Sequence, residues 1–420
     1  MKRFTFLTAI LILCFALPKD LQSKVIEVCD VCTVNAIADA IEIAEDCDSL
    51  LIIGGTHKIE NLAINKPLTL IGRDGPVLIS NSGDEILTLI ADDITIKGLT
   101  FKNVTTSYLK ERSAIRVKRK KHFLIEDNTI IDCFFGVYLE KANYGVINNN
   151  TILGNATTEA ESGNAIHAWY CNHILIYHNT LKGHRDGIYF EFVNESTINN
   201  NHSELNKRYG LHFMFSNDDI YTNNSFINNG VGVAVMFSRR IDMSHNVFSY
   251  NWGRAAYGLL LKEIYDAEIQ HNKFLNNTIG IFVEGSNRIK YLYNAFEQNG
   301  WAIKFSGGCE SNEIMHNNFL NNSLDLIVST QLNDNLFASN YWSDYAGYDL
   351  DKDGTGDVPH YPVKLFSYVL NEVPEAIVLM RSFLVDIINY AEKVSPVFTP
   401  KEVLDENPAM KAYAIQSLSQ

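Results

Sequence analysis

The sequence predicts an all-β fold: a right-handed parallel β-helix, a solenoid of about 22-residue coils with an N-terminal helical cap and a C-terminal helix and tail. Three observations predict it. First, asparagines recur at 128, 150, 179, 201, 224, 246, 272, 294, 317 and 340, spaced by 22 or 23 residues except for gaps of 29 and 26. The long gaps mark insertions near 155–163 and 251–256. Second, a small residue opens a short apolar run soon after most anchors, at Gly136, Gly187, Gly210, Gly232, Gly280 and Ala302. Third, another apolar run precedes each anchor, as at His173–Ile176 and Arg240–Met243. Three short strands per coil, parted by Asn and Gly, is the pattern of a stacked coil whose alternate residues fill a core. Coils of this length suit right-handed helices better than the shorter hexapeptide repeats. The anchors are expected to serve twice, by tolerating a left-handed corner and by stacking as amide ladders.

The elements follow in order. Lys2 and Arg3 followed by the apolar run Phe4–Leu17 read as an export signal over residues 1–23, too short for an ordinary membrane span. Residues 24–50 are the expected N-terminal cap, with a helix over Thr33–Ala44 and Thr33 as its N-cap. The β-helix is placed at 51–345. Residues 346–372 form an acidic loop and end cap, and 373–420 a C-terminal helix, about Glu375–Lys393, followed by an extended tail. That helix is apolar on one side but interrupted by Arg381 and Asp386, which suits docking against a partner or the solenoid's own end rather than a membrane span.

The formal charge, 35 basic against 49 acidic residues, is −14, a poor match to nucleic acid. Export permits disulfides. Cys29, Cys32 and Cys47 cluster near the start, and the reading that they staple the cap pairs Cys47 with one of the other two; a metal or redox role is the alternative. Cys133, Cys171 and Cys309 are expected to be buried.

Aligning the second strand of each coil yields two outward columns. One reads Tyr138, His167, Tyr189, His212, Ala234, Leu260, Phe282, Lys304; the other reads Glu140, Trp169, Glu191, Met214, Met236, Lys262, Glu284, Ser306. Met214 and Met236 should be solvent-facing neighbours with His212 beside Met214. Thioether and imidazole together suit copper, above all Cu(I), whereas methionine as an adaptable partner contact is the competing explanation. His178, His245, His271 and His316 precede anchors and read as tolerated turn residues. Arg185, Asp186 and Arg208 sit at corners one coil apart, and the arginines either meet an anionic partner group or pair with Asp186. With Tyr189, Glu191, Lys262, Leu379 and Phe383 they make up the expected partner interface. Asp349, Asp351, Asp353 and Asp357 have the spacing of a calcium loop, making calcium a second candidate ion, although His360 stands where an EF-hand carries glutamate.

The strings GHRDGIYFE at 183–191, RYGLHFMFS at 208–216, GVAVMFS at 232–238 and YGLLLKE at 257–263 resemble the NosD family, as does GYDLDKDGTGDVPHYPV at 347–363. The resemblance implies a periplasmic, non-enzymatic protein on a scaffold shared with carbohydrate-active β-helices. It implies work beside an ABC transporter (a membrane subunit and an ATPase) and a copper-delivery lipoprotein, in assembling the copper–sulfide centre of nitrous oxide reductase. On that basis membrane contact is expected only through the transporter, with residues 375–393 against its membrane subunit. A polysaccharide lyase or epimerase is the rival class, for which Arg185, Asp186 and Glu191 are the best grouping.

Overall fold

The computed structural model describes residues 23–253, 255–329, 334–379, 382–394 and 403–415. The export signal, apart from Ser23, lies outside them. Among the described residues three parallel sheets of 14, 12 and 13 strands run the length of a right-handed β-helix. Each strand pairs with its counterpart one coil away, so every crossover returns to the same sheet. Many strands are only three residues long, with the middle residue inward. Ile147, Ile176, Ile198 and Tyr221 stack in this way on one wall. Phe226, Phe248, Phe274, Phe296, Phe319 and Trp342 stack ring on ring on another.

The anchor asparagines form the expected ladder. Asn224 is typical: its Oδ1 accepts from the backbone N–H and the amide of Asn201 at 2.9 and 3.0 Å, and its own amide donates to Asn246 Oδ1 at 3.0 Å and Ile198 O at 2.9 Å. The left-handed corner, however, belongs to the residue before each anchor. Asn149, His178, Asn200, Asn223, His245, His271 and His316 have φ between 51° and 58°. The anchor faces inward, where its amide is needed; its predecessor makes the bend. This also explains the second histidine set, whose members sit at that corner, with His245 and His271 stacked at 5.0 Å. A second ladder, Asn206–Asn229–Asn251–Asn277–Asn299–Asn322, lines another corner. The strand-opening glycines are small because neighbouring coils press on them: a Cβ on Gly232 would lie 2.4 Å from Gly258 O.

The ends depart from the sequence reading. Val25–Val28 already pairs with Ser49–Ile53, so the sheet begins inside the region assigned to the cap. The cap helix α1 is Ile37–Ile43, with Ala36 rather than Thr33 at its N-cap. Cys29 bonds Cys32, and Cys47 is a free, exposed thiol, so the stapling reading of Cys47 is wrong: the CxxC closes locally within the turn after the first strand. Cys133, Cys171 and Cys309 are free and buried as expected.

At the other end, the single predicted helix is instead α2 (Leu365–Glu372), a 3-10 turn Pro374–Leu379 and α3 (Phe383–Val394). Pro374 disfavours helix at Val373 and ends α2 there. Leu370 of α2 and Val385 of α3 pack with Leu324 and Ile327 on the final coils. The tail 403–415 is extended and docked. Asp405 terminates the anchor ladder by accepting from Asn340's backbone and amide and from the Trp342 indole at 3.0–3.1 Å. Among the described residues no helix is long and apolar enough to cross a membrane.

Candidate functional site

Both outward columns have the register read from the sequence. Tyr189, His212 and Ala234 are partners in consecutive strands, as are Trp169, Glu191, Met214, Met236 and Lys262. Met214 and Met236 are therefore adjacent, both part-exposed, on strands Tyr209–Met214 and Val231–Met236. The first column is not the open surface expected: Tyr138, His167, His212, Ala234 and Leu260 are all buried, His212 most consequentially. It lies on the outer column, yet is only 5% exposed, because the Tyr209 and Tyr189 rings close over it at 4.5 and 5.1 Å. Neither of its ring nitrogens has a hydrogen-bond partner. Burial, with Arg208 and Arg185 nearby, pushes its pKa down to about 3, so the imidazole stays neutral with a free lone pair. A buried unpartnered nitrogen is costly unless something occupies it.

Beside Met214 a pocket of about 360 Å³ opens between Glu111, Glu140, His167, Trp169, Arg185 and Glu191. His167 is stacked between Tyr138 and Tyr189 at 4.4 and 4.7 Å, and Asn164 donates to its Nδ1 at 2.9 Å. Burial, with smaller contributions from Arg185 and Arg116, also lowers this histidine's pKa to about 3. The Tyr138 hydroxyl donates to Glu111 at 2.6 Å.

Asp186 leaves the expected partner interface. It is fully buried, and Arg208 grips its carboxylate through Nε at 3.0 Å and Nη2 at 2.7 Å, with Arg185 at 3.6 Å. This pair ties two coils together across a corner, so Asp186 has no surface for a partner. Tyr189, Glu191 and Lys262 remain part-exposed, Lys262 pairing with Glu284 at 3.1 Å. Leu379 and Phe383 are exposed, Phe383 at 78%, on the end cap. Carboxylate oxygens of Asp349, Asp351 and Asp353 lie within 4.8 Å of one another. Asp357 stands apart from them: it accepts from Leu350 N at 2.6 Å and closes the loop. His360 is turned inward against Trp342 and Asp344.

One feature of this face escaped the sequence reading. The residue after each member of the second column turns a left-handed corner, and on four consecutive coils it is aromatic: Tyr170, Phe192, Phe215 and Phe237, with φ from 51° to 54°. Their rings stack at 4.5, 5.2 and 5.1 Å. Tyr170, Phe215 and Phe237 are 45%, 40% and 37% exposed. Left-handed backbone costs a bulky residue about 1 kcal/mol or more, so these rings face solvent despite a conformational penalty. The signal was present as an aromatic at each position after Trp169, Glu191, Met214 and Met236.

A family model described as "Periplasmic copper-binding protein (NosD)" matches residues 154–347, and one described as "Right handed beta helix region" matches 30–163. A Pseudomonas aeruginosa protein named "Probable ABC transporter binding protein NosD" is 27% identical over 402 residues, 90% of this chain and 92% of that one. A Stutzerimonas stutzeri protein of the same name is 35% identical over 72 residues, 17% of this chain and 16% of its own length. The chain is thus similar to NosD proteins, by a family model over residues 154–347 and by a distant relative along most of its length. The matched segment 154–347 contains the His212, Met214 and Met236 face, and the family description is periplasmic. A solved structure described as a PL6 alginate lyase complex with trisaccharide covers 78% of this chain and 86% of its own, at 13% identity and a TM-score of 0.58. At that identity the likeness extends to the β-helix and no further.

Proposed function

We propose that the chain is a periplasmic, non-catalytic accessory protein for maturation of nitrous oxide reductase. It holds copper in transit to the enzyme's copper–sulfide centre. It works beside an ABC transporter, whose membrane subunit meets the exposed side of the end cap around Leu379 and Phe383, and beside a copper-delivery lipoprotein. One observation carries this reading: two adjacent part-exposed thioethers, Met214 and Met236, on the same outer face as a neutral imidazole, His212, whose ring nitrogens lack partners. Soft sulfur with imidazole favours Cu(I), and thioethers at the surface suit cargo that must leave again. The family description and the relatives' transporter-binding name support the same reading.

A carbohydrate-active enzyme is the second reading, favoured by the pocket beside Trp169 and Glu191. Against it, Glu111 is engaged by Tyr138, and Asp186 is buried and held by Arg208 as a structural tie between coils. That takes the buried carboxylate of Asp186 out of the grouping that would abstract and return a proton.

The test is competition for Cu(I) between the purified protein and a chelator. Met214→Leu/Met236→Leu keeps apolar volume, so folding should survive. Its affinity should fall about 10-fold or more, about 1.4 kcal/mol, and His212→Ala should fall similarly. Equal affinity in all three proteins would overturn the ligand assignment. Unsaturated oligosaccharide released from alginate would support the second reading.

A further inference from the structure

The aromatic corners and the methionine column together form one apolar strip: Trp169, Met214 and Met236 on one line, Tyr170, Phe192, Phe215 and Phe237 on the next. Only Glu191 breaks it. The strip stops abruptly at both ends. One coil before it the two lines carry Glu140 and Lys141; one coil after it they carry Lys262 and Glu263. The four stacked rings cover one another's faces and expose mainly their edges, so they are poor platforms for a sugar and good ones for sulfur and other rings.

We infer that this strip binds a second copy of the chain, antiparallel, about a two-fold axis crossing between the coils of Glu191 and Met214. The argument is charge complementarity under that symmetry. An isologous contact sets each residue against its symmetry counterpart. Turning the solenoid end for end in the contact plane keeps each line opposite itself and reverses its order. Glu140 then meets Lys262 of the second copy, and Lys141 meets Glu263. Trp169 faces Met236, Tyr170 faces Phe237, and Phe192 faces Phe215. Glu140 and Lys262 keep partners within their own chain, so the exposed Lys141 and Glu263 carry the match in sign at both borders; Glu191 meets Met214 as the one polar contact inside the strip, and the rest of the interior matches in kind. A two-fold axis along the solenoid would instead set the two lines against each other, Glu140 on Lys141 and Lys262 on Glu263, and the Lys141–Glu263 cross-link and charge swap below distinguish the antiparallel pair from it.

The six coils from Glu140 to Lys262 span about 24 Å at about 4.8 Å per coil. A patch this long and two lines wide falls at the small end of protein interfaces. The dimer is therefore weak, concentration-dependent and open to replacement by another protein. It covers Met214 and Met236, shielding the thioethers while no other protein occupies the face. The inference stands on the border charges and rings, independently of whether those thioethers bind copper.

Sedimentation velocity on purified protein over a concentration series, without added metal, tests it. Wild type should show a sedimentation coefficient that rises with concentration. Lys141→Glu, an exposed change, should leave a monomer, and Lys141→Glu/Glu263→Lys should restore association by reversing both members of the pair. Zero-length carbodiimide cross-linking should join Lys141 to Glu263, five coils apart within one chain and so reachable only between copies. A wild type that stays monomeric throughout, association indifferent to Lys141→Glu, or failure of the double variant to recover would each overturn it. Cu(I) affinity measured at concentrations where wild type is monomeric should be the same in Lys141→Glu, which separates this result from the copper reading.

Discussion

The buried amide ladder and the outer Met/aromatic strip are both columns along the same solenoid, but they differ in extent. The ladder runs unbroken from Asn128 to Asn340 and ends on Asp405. The strip occupies four coils and gives way to charge on either side. A column required for folding must be repeated on every coil, since each coil leans only on its neighbours. A column confined to a few coils, built from exposed rings in unfavourable backbone, answers to something other than folding.

Three substitutions test this contrast. The largest effect is expected for Asn224→Leu, which strands the buried N–H and amide of Asn201 and the carbonyl of Ile198. Unpaired buried groups cost about 1–3 kcal/mol each, so a loss of about 3 kcal/mol or more should appear in urea unfolding. A neutral outcome would remove the structural reading of the ladder.

A smaller, pH-dependent effect is expected where the solenoid meets its end cap. Asp325 is buried, and desolvation, with Asp344 nearby, raises its pKa from 3.8 to about 7 despite Lys364. Its folded pKa exceeds its unfolded one, so its contribution is fully present below about pH 4 and is lost as pH rises to about 7. Difference melting curves between wild type and Asp325→Asn should show the wild type losing ground across that window. Parallel curves would count against it.

The smallest effect, with opposite sign, is expected on the strip. Phe215→Gly removes a half-exposed ring and relieves a left-handed corner, so stability should hold or rise by about 1 kcal/mol. A clear loss in thermal unfolding would show that the exposed rings support the fold, and the contrast between the two columns would fail.

Much of the fold was legible because the repeat is written in spacing. Ten asparagines and six small residues set the coil length, and period-two alternation then placed Met214 beside Met236. The second asparagine ladder and the aromatic corners were equally periodic, but they fall on positions outside the anchor and strand templates. The anchors' supposed left-handed backbone failed because spacing locates a corner only to within a residue. The ends were the least legible: α1, the break at Pro374 and the docked tail have no repeat to reinforce them.

By itself the sequence determined the coil period, the three-strand coil, the register of the outward columns and the burial of three cysteines, all consequences of local periodicity and side-chain size. Tertiary structure alone decided that Cys29 bonds Cys32 and leaves Cys47 free, that Asp186 is consumed by Arg208, that His212 lies beneath Tyr189 and Tyr209 with its nitrogens unpartnered, and that Asp405 closes a ladder ending at Asn340, 65 residues away in sequence. Apart from the local disulfide, these depend on which side chains meet across coils, a matter of packing distance that no single-chain spacing encodes.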